Sequence, residues 1–332
     1  MKRLAQFGLL VSLPLVLACA KGNKGADKAQ AVADSARVDT TTMADRQVNR
    51  AVSSLPSTTQ GDKVRSLLLE EARYEKKDRD CIVRLLAEAR QMPASTNWMV
   101  HFGRKFLHVP YVAKTLDREL DEHLVVNTRE LDCTTFVETV LALDQCMRHE
   151  AYGFTDFLTE LRRIRYLDGK MAYTNRQHYF TVWINNNQKM GIVEDIQSPN
   201  PPFTAVKHLK VNWMTTHTKD YPQLAAHPEW VAGIRRMEQS ISGKSYRYIP
   251  KATIANTRLF RQTIHDGDIL VIPTSKQGLD TSHIGIAVWH QDGLHLLNAS
   301  YLRHKVVEES MTLHRYMQGQ RSQTGIRVCR AK

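Results

Sequence analysis

Residues 131–138, LDCTTFVE, place a cysteine at the predicted first turn of an amphipathic helix. The apolar run at residues 140–143, VLAL, continues that helix. Backbone N–H groups left unpaired at a helix start, together with the positive end of the helix dipole, favour a thiolate over a thiol. The pattern predicts that Cys133 is a nucleophile and that Asp132 caps its helix, although a lone cysteine is more often a small buried hydrophobic residue.

A cysteine nucleophile needs a nearby base, and the base needs a third group to orient it. Among the 14 histidines, His283 is the best candidate because it opens a predicted strand, residues 283–288, directly after a turn-like segment. Asn298 lies on the next predicted strand, roughly opposite His283 across a Gly-containing turn, where its amide oxygen can accept from the imidazole. We therefore predict a triad of Cys133, His283 and Asn298, with the backbone N–H of Cys133 contributing to an oxyanion hole.

Helical patterns precede a C-terminal third rich in short β-type runs. This order predicts an α+β fold in which the helix that starts at Cys133 packs on an antiparallel sheet. Besides that helix, helical patterns span residues 64–89, where a charged centre marks a solvated face or a break, 98–106 with Ser95 or Thr96 as cap, about 155–166, and 222–240. Predicted strands span residues 178–184, 268–272, 283–289 and 294–300.

The first 19 residues have the features of an export signal. Lys2 and Arg3 precede an apolar run that ends in Val-Leu-Ala-Cys at Cys19, which predicts a lipoprotein signal peptide with Cys19 as the lipidated residue. The alternative is an ordinary signal peptide with an incidental cysteine. Residues 20–60, rich in Ala, Ser, Thr, Lys and Asp, predict a disordered tether. We expect an exported lipoprotein, anchored to a membrane of the cell envelope.

Residues 61–332 are expected to form a single catalytic domain, with an N-terminal helical part at 61–108. The chain has 332 residues, 42% of them hydrophobic, and a net charge of +12. Such a charge suits acidic lipids or wall material with free carboxylates, and we expect no nucleic-acid partner in that compartment. If Cys133 is catalytic it is free, so Cys81, Cys146 and Cys329 can form at most one disulfide.

Other chemistry has little support in the sequence. No His-Glu-x-x-His or Cys-x-x-Cys motif and no Gly-rich phosphate loop is present. We therefore expect neither a metal nor an organic cofactor.

Four motifs together resemble one known family. Residues 131–138, 176–180 (RQHYF), 264–268 (IHDGD) and 278–285 (GLDTSHIG) resemble the NlpC/p60 papain-like cysteine peptidase superfamily, in its N-acetylmuramoyl-L-alanine amidase-like branch. The resemblance covers about residues 100–328. It implies a papain-like core and cleavage between N-acetylmuramic acid and L-alanine in peptidoglycan fragments, with a preference for anhydro-muropeptides released in wall turnover.

Two residues depart from the family pattern, since Asn298 stands where His is common and His108 where Gly is typical. The expected substrate carries carboxylates, for which Arg176 is the candidate partner, with a structural salt bridge as the alternative. Candidate substrate-binding residues, each with a structural alternative, are Tyr111, Arg176, His178, Tyr179, Asp280 and Ser282.

Two other functions remain open from the sequence. The same triad is compatible with a D-glutamyl-diamino acid endopeptidase of the stem peptide. A domain with Asn298 in the third position is also compatible with a catalytically weak peptidoglycan-binding lipoprotein.

Overall fold

The computed structural model of the protein describes residues 59–332. The predicted signal peptide, Cys19 and nearly all of the predicted tether lie outside the described residues. No helix among residues 59–332 is long and apolar enough to cross a membrane.

Eleven α-helices are found in the described part of the chain. They are α1 (Thr59–Glu71), α2 (Lys76–Ala89), α3 (Trp98–Lys105), α4 (Cys133–Arg148), α5 (Phe154–Arg165), α6 (Phe180–Lys189), α7 (Trp213–Thr216), α8 (Pro222–Ala226), α9 (Val231–Ile241), α10 (Arg258–Thr263) and α11 (Leu313–Gln318). The charged centre of the predicted helix at 64–89 is a break, because a short strand separates α1 from α2.

Two sheets complete the fold. Their strands are β1 (Ala72–Arg73), β2 (Leu124–Val125), β3 (Val193–Ile196), β4 (Ala205–His208), β5 (Ser245–Pro250), β6 (Ile269–Pro273), β7 (Thr281–Trp289), β8 (Leu294–Ser300), β9 (Lys305–Glu308) and β10 (Gly325–Ala331). β1 and β2 form a small parallel pair. The other eight strands form one antiparallel sheet in the order β4-β5-β10-β6-β7-β8-β9, with β3 pairing β10. The α+β prediction is confirmed.

The large sheet has an apolar core on each face because side chains alternate along its strands. Ile284, Ile286 and Leu297 face the core that includes α4. Ala287 and Leu296 face the second core, which includes α10 and α11. The helix that starts at Cys133 therefore packs on one face of β7 and β8.

The prediction of a strand at residues 178–184 is wrong, because most of this segment lies in α6. The carboxylate of Asp280 accepts the N–H of Thr181 at 2.7 Å in the first turn, and Gly191 follows the helix end with φ 74°. Trp183 and Val182 pack into two different cores. This burial on both sides outweighs the strand preference of the aromatic and β-branched residues.

Two local expectations also changed. Helix α3 is capped by Asn97, whose Oδ1 accepts the Val100 N–H at 3.1 Å, rather than by Ser95 or Thr96. His108 adopts φ 73°, the left-handed region where a side chain costs about 1 kcal/mol or more. Its N–H donates to Val306 O at 2.9 Å, so the turn holds its shape without the glycine that the family pattern favours.

Candidate active site

Cys133 is the first residue of α4, and the cap expected of Asp132 is confirmed. Asp132 Oδ1 accepts the Thr135 N–H at 2.8 Å, and the Asp132 N–H donates to Thr135 Oγ1 at 2.9 Å. These two reciprocal hydrogen bonds satisfy the backbone N–H groups of Asp132 and Thr135 at the helix start. It also fixes the direction in which the chain enters α4 and hence the place of the Cys133 thiol.

The thiol of Cys133 is not a thiolate at rest. Burial, together with the carboxylate of Asp132, raises the pKa of Cys133 to about 12. The hydroxyl and N–H of Thr134 and the N–H of Ile284 lower the pKa by donating toward the sulfur, but they do not offset the burial. Of these donors only the Thr134 N–H is a helix-start group of the predicted kind, and the expectation that the helix start favours the thiolate is wrong because desolvation outweighs it.

An interruption in strand pairing leaves the Ile284 N–H free to face the thiol. The ladder between β7 and β8 ends at the pair Ile286 and Leu297, while β8 continues alone against β9. In an antiparallel ladder alternate residues direct their N–H groups to opposite neighbours. His290, whose N–H donates to Gly293 O at 2.8 Å, shows that the even-numbered residues of β7 face β8. Ile284 follows that pattern but has no β8 partner.

The structure brings His283 and Asn298 together. Their Nε2 and Oδ1 atoms lie 2.9 Å apart, and both residues are buried. Asn298 Nδ2 lies 3.3 Å from Leu296 O, which orients the amide so that Oδ1 accepts from the ring. Nε2 therefore carries the hydrogen, and Nδ1 is left with the lone pair of a base.

The two residues are near each other, as the sequence predicted, and their pairing across the hairpin is diagonal. By the ladder register Gly285 faces Asn298, and His283 is two residues away on the same face. A Cβ on Gly285 would lie 3.0 Å from Asn298 Cβ and 2.8 Å from a Leu296 methyl. The absent side chain of Gly285 thus leaves the space across which His283 reaches Asn298.

Cys133 lies close to the backbone of Ile284, the residue that follows His283, but the structure does not bring the thiol and the imidazole together. Within residues 59–332 no hydrogen bond joins these two groups, and by strand alternation the His283 side chain lies on the face of β7 opposite Ile284. Burial lowers the pKa of His283, and its hydrogen bond with Asn298 partly reverses that effect. At rest the thiol and the imidazole are therefore both neutral.

Aromatic residues lie close to the thiol. Burial, followed by the influence of Cys133, raises the pKa of Tyr111, whose ring packs edge-on against exposed Tyr301 at 5.7 Å. Tyr111 thus lies beside the thiol, as the sequence suggested. Tyr316 of α11 also lies near Cys133, and burial raises its pKa to about 12. Sequence reasoning missed Tyr316, since no short motif links residue 316 to the other site residues.

The contacts of Arg176 favour its structural alternative. Its guanidinium lies 2.6 Å from Asp117 Oδ1 and 3.6 Å from Glu122 Oε2, and it stacks on Tyr173 at 4.8 Å. Only 7% of Arg176 is exposed. Two protein carboxylates already occupy the guanidinium, so it is not available to a substrate carboxylate in this arrangement.

The other candidate substrate-binding residues also have structural partners. His178 Nε2 lies 2.8 Å from Tyr173 O, and burial lowers its pKa to about 3. The Tyr179 hydroxyl donates to Glu238 at 2.7 Å, inside a separate apolar core. Asp280 caps α6, as described above, and the Ser282 hydroxyl donates to Ile272 O at 3.3 Å. Ser282 is half-buried and is the direct chain neighbour of His283.

A cavity of about 680 Å³ lies at the opposite end of β7. It is lined by Arg104, Arg261, Trp289, His290 and Gln291. Six residues of strand separate Ile284 from His290, a distance of about 20 Å. The cavity is therefore not part of the site around Cys133.

Comparison with known proteins gives a consistent family. The model of the AmiA-like family, described as N-acetylmuramoyl-L-alanine amidase-like, matches residues 101–326. A solved N-acetylmuramoyl-L-alanine amidase from Bacteroides uniformis is 39% identical, with TM-score 0.66, and the match covers 71% of this chain and 98% of that one. Comparison with curated proteins gives no match.

Two further solved structures are similar. A Bacteroides fragilis protein named as a candidate xylanase is 39% identical, with TM-score 0.64, and the match covers 69% of this chain and 98% of that one. A Legionella pneumophila protein shares the fold at 22% identity and TM-score 0.62, with 77% of this chain and 95% of that one covered.

Replacing Arg176 separates the structural role from the substrate role. We expect R176Q to lower the free energy of unfolding by about 2 kcal/mol, because it leaves the half-buried carboxylates of Asp117 and Glu122 without their cation. Denaturant unfolding measures this loss, with exposed Arg258→Gln as the control. A variant of unchanged stability and strongly raised KM would contradict the structural role.

Proposed function

Because the chain belongs to the N-acetylmuramoyl-L-alanine amidase-like family, we propose that it hydrolyses the amide between N-acetylmuramic acid and L-alanine, with Cys133 as the nucleophile. The observation that carries the cysteine mechanism is the meeting of a capped helix start with the strand of a hydrogen-bonded His283–Asn298 pair. The substrates are peptidoglycan fragments, including anhydro-muropeptides of wall turnover.

The reaction starts from neutral groups. The proton of the Cys133 thiol passes to Nδ1 of His283 while the sulfur attacks the lactyl carbonyl carbon of muramic acid. Backbone N–H groups at the start of α4 stabilise the oxyanion that forms. Asn298 holds the ring through Nε2, so Nδ1 is the nitrogen left free to act as the base.

The second half of the reaction releases both products. The imidazolium protonates the departing α-amine of L-alanine as the C–N bond breaks, which leaves a thioester on Cys133. His283 then removes a proton from water, the hydroxide attacks the thioester carbonyl, the C–S bond breaks, and the proton returns to the sulfur. The stem peptide leaves with a free N-terminus, and the sugar leaves with a lactyl carboxylate.

We also propose that the core is papain-like and belongs to the NlpC/p60 superfamily. The support is the chain order of a helix-start cysteine, a strand histidine and a polar residue on the adjacent strand. Asn298 fills the third position with a hydrogen-bond acceptor at 2.9 Å. This geometry supports a working orienter and weakens the case for a wall-binding protein without activity.

Two alternatives differ from the amidase in their products. A stem-peptide endopeptidase would use the same triad on the D-glutamyl bond. A glycosidase, as the name of the Bacteroides fragilis relative suggests for that protein, needs two carboxyl groups on either side of a glycosidic bond. Beside Cys133 the carboxylate of Asp132 is occupied in the helix cap, which supports amide cleavage over glycoside cleavage.

Removing the nucleophile tests the mechanism. We expect C133A to reduce the cleavage rate of a defined muropeptide by at least about 10³-fold, because the covalent step is lost. The control C81A alters a half-buried cysteine of α2 and is expected to retain full activity.

Mass spectrometry of the parent's products then distinguishes the substrates. The amidase gives a whole stem peptide that starts at L-alanine, while the endopeptidase leaves L-alanine on the sugar. Cleavage by C133A at the parent rate, or hydrolysis of xylan in place of the muropeptide, would contradict the proposal.

The acid limb of the pH profile reports on His283. Burial lowers its pKa, so we expect kcat/KM to rise with a midpoint below the ordinary value of about 6.5. Asn298 raises this pKa, so N298A is expected to move the midpoint to still lower pH while reducing kcat. N298H, which offers a ring nitrogen as acceptor, should retain more activity. A midpoint that N298A leaves unchanged would contradict the role of Asn298.

We propose that the protein is exported and held at a membrane of the cell envelope by a lipid on Cys19. The support is the signal-like sequence that ends at Cys19. Full-length protein expressed in a bacterium is expected to incorporate radiolabelled palmitate and to sediment with membranes. The C19S variant should lose both properties, whereas equal labelling of parent and variant would refute the anchor.

A further inference from the structure

Three potential metal ligands meet at the turn between β7 and β8. The candidate ligand atoms of His290, Asp292 and His295 all lie within 4.8 Å of one another. The two imidazole rings are stacked, with centroids 4.1 Å apart and an angle of 21° between their planes. His290 and Asp292 are exposed and His295 is buried, so the cluster is open to solvent on one side only.

The ring of His295 has an acceptor at each of its two nitrogens. Its Nδ1 lies 2.7 Å from the carbonyl oxygen of Glu309, which only accepts, so Nδ1 carries the hydrogen. In the neutral ring Nε2 then has a lone pair, yet it lies 2.9 Å from the Asp292 carboxylate, a second acceptor. A metal ion bound by both atoms removes this conflict between two lone pairs.

His290 is oriented in the same manner. Its Nε2 lies 2.6 Å from Glu308 Oε1, and the same carboxylate receives two hydrogen bonds from Arg104, at 2.8 and 3.0 Å. Nε2 therefore donates to Glu308, which leaves Nδ1 as the ligand atom. Metal-binding histidines in proteins characteristically donate their second N–H to a carboxylate or a carbonyl. Each histidine of this cluster has one such partner.

We propose that His290, Asp292 and His295 bind a divalent transition metal, with zinc as the best match to two imidazoles and a carboxylate. In a tetrahedral zinc site the ligand atoms are about 3.3 Å apart, so small side-chain rotations bring the three atoms into place. The fourth position faces solvent and takes a water molecule. The sequence predicted no metal because His-x-Asp-x-x-His is not a common motif, and the tight turn is what brings its members together.

This site fastens the hairpin that carries His283 and Asn298, and it takes no part in the chemistry at Cys133. The turn is about 20 Å from Ile284 along β7. Through Glu308 the site also links the hairpin to β9, and through Arg104 to α3. The expected consequence of binding is a more stable hairpin, so the proposal does not depend on the proposed function.

Cobalt provides a direct readout of the site. Chelator-treated C133A protein, which lacks the thiol of the candidate active site, is titrated with Co²⁺ and followed by visible absorption. We expect the intense d–d bands of a four-coordinate site at one ion per chain. H290A and D292N should each weaken Co²⁺ binding at least about 10-fold, whereas H208A, at an exposed histidine of β4, should bind like the parent.

Thermal unfolding provides the second readout. At a Zn²⁺ concentration 100 times the dissociation constant, the Tm is expected to rise by about 5 °C in the C133A parent and in H208A. H290A and D292N should show no rise. Absence of a one-ion cobalt spectrum would overturn the proposal and leave His295 as a protonated partner of Asp292. Equal binding or stabilisation in H290A and the parent would overturn it as well.

Discussion

The burial of α4 against β7 and β8 is the constraint on which the candidate site depends. Almost every side chain of this helix is enclosed, including the carboxylates of Glu138 and Asp144. Arg165 of α5 pairs with Glu138 at 2.7 Å, whereas Arg148 and Asp144 pair within α4 itself. Because a buried charge without its partner costs several kcal/mol, the pair of Arg165 and Glu138 favours one rotation of α4 against α5. The position of Cys133 at the start of α4 depends on that packing.

The hairpin of β7 and β8 supplies the other half of the site. Its ladder stops after Ile286 and Leu297, which frees the Ile284 N–H on the side of the thiol. Gly285 leaves room on the opposite face for the hydrogen bond between His283 and Asn298. One strand thus directs a backbone N–H toward the thiol and carries the His283 side chain on its other face, on account of the alternation of a pleated chain.

The pKa of the Cys133 thiol results from opposing effects of several groups. Donors at Thr134 and Ile284 stabilise the thiolate, while burial and the Asp132 carboxylate oppose it and prevail. The cap that positions the helix therefore also keeps the cysteine protonated. The imidazole is likewise neutral, so in the proposed mechanism the transfer of the thiol proton belongs to the chemical step.

The local sequence determined the elements whose signals are local. Residue types at fixed spacing predict the cap at Asp132, the start of α4 and the two hairpin strands. They also predict that His283 and Asn298 lie near each other. Tertiary structure decided the rest, because it depends on what packs against each segment. Residues 180–184 are helical through burial on two sides, and Arg176 is occupied by Asp117 and Glu122, which are distant from it in the chain. The pKa of Cys133 and the meeting of His290 with His295 also required the folded chain, since desolvation and side-chain approach exist only there.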